Sequence, residues 1–148
     1  MSNQAVAIPA SLAARPTSQR ITRHLVTAAR IAMGLAFFVF GLNGFLDFLP
    51  QPSGPIPAGA MAFGGALAQT GYMIPLIKGT ETLVGILLLS NLFVPLALVL
   101  IAPVLVNIIA FHAFLAPDDI AIPLALVVIE IVLAWTCRKA YRPLFARR

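Results

Sequence analysis

The chain reads as an all-α membrane protein, a four-transmembrane-helix bundle with a short extra helix in the first outer loop. Three observations predict this. Of 148 residues, 60% are hydrophobic and 10% charged, where soluble domains carry about 25% charged residues, and the mean hydropathy is +0.96. The apolar residues fall into four segments, 31–49, 72–89, 92–115 and 120–137. Each is close to the roughly 20 residues a helix needs to cross hydrocarbon, and none alternates as the strands of a barrel do. The basic residues gather at the two ends, Arg15, Arg20, Arg23 and Arg30 before the apolar region and Arg138, Lys139, Arg142, Arg147 and Arg148 after it. Cytoplasmic flanks collect Lys and Arg, so both termini are expected in the cytoplasm, which requires an even number of spans.

The organisation follows from these segments. Residues 1–30 are expected to be a disordered, basic cytoplasmic tail with a short surface helix near 20–30; 31–140 the four-helix transmembrane domain; and 141–148 a second basic cytoplasmic tail. Rich in Ser, Ala and Arg and free of acids, the first tail has the composition of a mitochondrial targeting segment as well as of a bacterial cytoplasmic tail. It has no short apolar stretch with a cleavage site. Between the first two spans, Pro50, Pro52, Pro55 and Pro57 keep the chain extended. Residues 58–69 then form an apolar stretch too short to span, expected as a short helix lying on or dipping into the outer surface as a lid.

Ser90 and Asn91 alone join the second and third spans, and Pro95 sits in the first turn of the third, so these helices are antiparallel neighbours. Residues 116–119 join the third and fourth. Asp118 and Asp119 are expected there as N-caps of the fourth helix.

Several chemistries find no residues to attach to. The one cysteine, Cys137, cannot close an internal disulfide or form a CxxC pair. His24 and His112 are far apart in sequence, so no pair one helical turn apart binds zinc or haem, and no metal site is expected. Phosphate-loop and GxSxG motifs are absent. Membrane orientation accounts for the net charge of +5 without nucleic acid.

What remains is a set of polar residues inside the spans: Asn43, Asp47, Lys78, Glu81, Asn107, His112 and Glu130. Ionisable groups at membrane depth are costly, which makes Lys78 and Glu81, one turn apart in the second span, the centre of the functional question. Phe40, Asn43, Gly44 and Asp47 share one face of the first span, and Lys78, Glu81, Thr82 and Gly85 one face of the second. At about 1.5 Å per residue, Asp47 and His112 lie within about 5 Å of the outer boundary and Asn43 and Lys78 at about 9 Å. Glu81, Asn107 and Glu130 then fall near the midplane, at about 12–15 Å. These groups form a polar ladder leading inward.

The ladder has two readings. In one, Lys78 pairs with Asp47 or Glu81, Asn107 hydrogen-bonds to Glu130, and the network fixes helix register at about 1 kcal/mol per contact. In the other, the outer half of the bundle holds a small, partly polar molecule, or carries protons to a redox partner such as a quinone. Asn107 and His112 are about 140° apart around their helix and cannot both face the centre squarely. His112 is left to a neighbouring helix, a partner subunit or the headgroups.

The run Phe40-Gly41-Leu42-Asn43-Gly44-Phe45, the segment Pro75-Leu76-Ile77-Lys78-Gly79-Thr80-Glu81 with Gly85, and Phe93-Val94-Pro95-Leu96 through Asn107 to Phe111-His112 resemble the DoxX family of small four-span bacterial membrane proteins. The resemblance covers roughly 30–142. It implies the four-span fold, the bacterial inner membrane and a redox association: relatives include a subunit of thiosulfate:quinone oxidoreductase and a component of a membrane oxidoreductase complex linked to thiol and oxidative stress. It implies no catalytic residues. Expected, then, is a membrane subunit of a quinone-linked oxidoreductase, with no cofactor of its own and a quinone as the possible ligand, enzymatic only as part of the complex. The alternative is a non-enzymatic protein that binds or transports a small metabolite or assists assembly, with a partner subunit or further copies of itself.

Overall fold

The computed structural model describes residues 17–50 and 54–145. Every regular element among the described residues is helical: α1 (Thr17–Leu46), α2 (Ala58–Gln69), α3 (Met73–Ser90), α4 (Val94–Leu115), α5 (Ala121–Thr136) and α6 (Arg138–Tyr141), with 3-10 turns at Pro117–Asp119 and Arg142–Phe145. The four expected spans correspond to α1, α3, α4 and α5, and α2 is the extra helix between the first two.

α1 is longer than expected. It begins at Thr17, so the helix expected near 20–30 is present but is continuous with the first apolar segment rather than separate from it; 1–16 lie outside the described residues. The physical reason is visible in the sequence, since no Gly or Pro interrupts 17–33 and a basic helix continues readily into an apolar one.

The helices close into a ring in which α1 packs on α3, α3 on α4, α4 on α5 and α5 on α1. Ring neighbours run antiparallel. Asn91 takes the left-handed conformation (φ 59°) and ends α3, with the N–H groups of Asn91 and Leu92 donating back to the Leu88 and Leu87 carbonyls. The expected short connection between these spans is thus 91–93. Asp118 and Asp119 are exposed in the 3-10 turn and cap nothing; Ile120 precedes α5 without a side-chain cap, which corrects the N-cap expectation. Pro117 provides the physical reason, since a 3-10 turn at this point places the acids before the cap position.

Met33, Phe37, Val84, Leu88, Ile101, Leu105 and Leu133 form a wholly apolar core. Apolar residues also cover the outside of all four long helices, among them Phe40, Leu83, Val106 and Val128. Helices that are apolar all round belong in lipid or against other chains. α1, α3 and α4 are long and apolar enough to cross a membrane, while α5, with 16 residues, is a shorter apolar helix. The chain has the build of a multi-pass membrane protein.

Two ends of the bundle can be distinguished. At one, α2 lies across α3 and α4, with Gly59 against Leu115 and the rings of Phe63 and Phe111 5.7 Å apart. At the other lie the start of α1 with Arg20 and Arg23, the α3–α4 turn, and α6 with Arg138 and Lys139. There the Tyr141 hydroxyl donates to the Pro95 carbonyl at 3.2 Å. Partial burial, then the nearby Cys137 and Glu130, push the Tyr141 phenol above its usual pKa. It therefore stays protonated, and a donor, at neutral pH.

Candidate functional site

The site begins with glycines. Gly34, Gly41 and Gly44 recur along one face of α1 and meet α3 in antiparallel register. A Cβ on Gly41 would come 2.6 Å from the Thr82 backbone nitrogen, and one on Gly85 2.5 Å from that of Phe38. The two backbones pack at a distance only glycine allows. Gly44 leaves room for the Lys78 stem, which crosses directly over it.

Within this seam Lys78 Nζ donates to Glu81 Oε2 at 2.8 Å, Glu81 being 3% exposed overall and the Lys78 side chain 28%. Burial and pairing come from the same glycine contact, because α1 covers the α3 face that carries the pair. Thr82 on the same face donates to the Lys78 carbonyl at 2.8 Å, so its hydroxyl is held by its own helix. Among the described residues no buried side-chain polar atom lacks a partner. At Gly41 the seam has no room for even a methyl group.

Other expected members of the ladder lie elsewhere. Asn43 Oδ1 accepts from the Leu49 N–H at 2.7 Å and shapes the exit from α1, and exposed Asp47, in the left-handed conformation (φ 47°), continues that turn. Asn and Asp tolerate and stabilise such turns. His112 Nδ1 hydrogen-bonds to the Ile108 carbonyl of its own helix at 2.8 Å, its ring set edge-on to Phe111 5.1 Å away. Asn107 is exposed on the outside of α4, not directed at Glu130, which corrects the expected hydrogen bond between them. The face of α4 that enters the core carries Ala97, Leu98, Ile101 and Leu105 instead; the apolar residues won the inward position. On α1 the stripe is likewise split, with Gly44 at the seam and Phe40 on the outer surface.

Glu130 stands apart. It lies in a groove of about 450 Å³ between α4 and α5, walled by Leu98, Ala102 and Ala134 and closed at the basic end by Tyr141. The ladder is therefore two separate places, a closed ion pair between α1 and α3 and an open groove between α4 and α5.

Arg30 is a polar group that sequence reasoning left in the tail. Its Nη1 donates to the Leu88 carbonyl and, at 3.5 Å, to that of Leu89. It thereby satisfies the open carbonyls at the end of α3 and favours the negative end of that helix dipole. Its position just before an apolar run was the available signal.

No family model, curated protein or solved structure matches the chain.

Proposed function

We propose that the chain is a four-span protein of the bacterial inner membrane with both termini cytoplasmic. In this reading it is the non-catalytic membrane subunit of a DoxX-like, quinone-linked oxidoreductase or oxidative-stress assembly. The observation that carries the subunit role is that Lys78 and Glu81 satisfy each other inside a closed seam, while apolar side chains cover the outside of every long helix. Enclosed on the Glu81 side, the pair fixes α1 against α3. The redox step and the quinone are then assigned to a partner subunit.

α5 serves as the fourth span. Its 16 residues rise about 24 Å, a little short of the roughly 30 Å of hydrocarbon, a mismatch that local thinning of the bilayer and snorkelling of flanking residues accommodate. With four antiparallel spans, Arg20, Arg23, Arg138 and Lys139 share one side, which the positive-inside tendency makes cytoplasmic. Resemblance to DoxX proteins in the glycine, proline and polar motifs supports the redox association.

Membranes that contain or lack the chain test this reading. Purification from the native membrane should bring a partner subunit with it, and loss of the chain should lower quinone-dependent electron transfer. A chain that purifies alone and whose loss leaves that transfer unchanged would refute the subunit role. For topology, a cysteine introduced at Ser53 in a Cys137→Ser background should react with an impermeant thiol reagent from outside intact cells. Reaction only from the cytoplasmic side would reverse the orientation.

One observation favours a second reading, non-enzymatic binding of a small molecule: the open groove beside Glu130.

A further inference from the structure

We infer that the groove between α4 and α5 is a binding site for a lipophilic organic ammonium, held by the Glu130 carboxylate. Lys78 and Glu81 have each other, and Arg30 has the end of α3. Glu130 is half-buried and makes no hydrogen bond or ion pair among the described residues, and no Lys or Arg lines its groove. A carboxyl in an apolar setting is neutralised either by a proton or by a cation, and this groove has room to bring a cation from outside the chain to it.

The groove sets the shape of that cation. Three elements wall it, α4 through Leu98 and Ala102, α5 through Ala134 and α6 through Tyr141. Its volume of about 450 Å³ falls within the roughly 300–1,000 Å³ of small-molecule sites. Apart from the carboxyl its walls are almost wholly apolar, which requires a hydrophobic body and excludes a hydrated metal ion or a polyamine.

The α4 wall adds a hydrogen-bond acceptor. Pro103 lies inside α4 and has no N–H, so the carbonyl of Val99, four residues earlier and on the groove wall, loses its helical donor. Together, a carboxylate and a carbonyl released from its helix match an ammonium that has N–H groups to donate better than they match a carbonyl-bearing ring. The inference rests on the membrane placement proposed above and is independent of the oxidoreductase association, because binding is read on the purified chain alone.

The test uses the full chain in nanodiscs of zwitterionic lipid. Equilibrium dialysis compares 2-(1-naphthyl)ethylamine, an ammonium on an apolar ring, with its uncharged N-acetyl derivative. The amine should saturate one site per chain and bind at least tenfold more tightly than the acetylated compound. Glu130→Gln, which keeps the side-chain shape, should weaken the amine at least tenfold. Ala102→Phe, which fills the groove without altering charge, should do the same, whereas Asp118→Asn on the surface should leave binding unchanged. Circular dichroism and gel filtration establish that each variant is folded. Equal uptake of the amine by the unchanged chain and by folded Glu130→Gln would mean partition into lipid and overturn the assignment. Binding of the acetylated compound as tight as the amine would assign the groove to uncharged molecules, quinones among them, and would also overturn it.

Discussion

The α1–α3 and α4–α5 contacts treat a carboxyl on an apolar helix in opposite ways. Between α1 and α3, glycines bring the backbones together, and Glu81 is enclosed with its own cation 2.8 Å away. Between α4 and α5 a groove lies open, and Glu130 faces it instead of a partner. The difference teaches that a rare charge on an apolar helix is either answered by a partner from the chain or left facing open space. A satisfied pair is architecture.

The comparison breaks most readily at the glycines. Gly85→Val drives side-chain atoms into the Phe38 backbone, whose nitrogen would lie only 2.5 Å from the new Cβ. It should lower stability by about 3 kcal/mol or more, read as the shift in the unfolding midpoint in mixed dodecylsulfate micelles. Gly79→Ala, which meets nothing within 4 Å, should instead be neutral or stabilising by up to about 1 kcal/mol. Equal effects from both would mean that the α1–α3 contact is not glycine-limited.

Arg30→Met keeps an unbranched apolar stem but withdraws the donor from the Leu88 and Leu89 carbonyls. A loss of about 1.5 kcal/mol is expected in the same unfolding titration. An unchanged midpoint would show that water satisfies the end of α3 equally well. The smallest effect belongs to the other contact, where Tyr141→Phe removes one hydrogen bond to Pro95. It should cost about 1 kcal/mol and increase hydrogen exchange in α6 without altering the α1–α3 seam.

Much of this arrangement is legible in the sequence. Segment length and hydropathy mark α1, α3, α4 and α5, and the run 58–69, too short to span, is α2. The spacing of Lys78, Glu81, Thr82 and Gly85 places them on the face that meets α1, since helical periodicity fixes that face without reference to a partner. Tertiary choices were harder to read. Asn107 and Glu130 sit at similar depth, but depth carries no angle, and the apolar face of α4 turns Asn107 outward. The recurrence of Gly34, Gly41 and Gly44 was a readable sign of a close seam, overshadowed by the polar residues among them. Arg30 was hidden for a different reason: a cation at the edge of a span looks like an orientation signal, and only the fold brings the end of α3 to it.

The most direct measurement is a double-mutant cycle on Lys78→Met and Glu81→Met, with stability read by unfolding in mixed micelles. If the pair is a closed architectural element, each single variant leaves a buried charge alone and loses about 3 kcal/mol. The double variant should recover part of that loss, with a coupling of at least about 1 kcal/mol. Single variants as stable as the unchanged chain, or a double variant whose loss is the sum of the two, would contradict the account and return Lys78 and Glu81 to the search for a functional site.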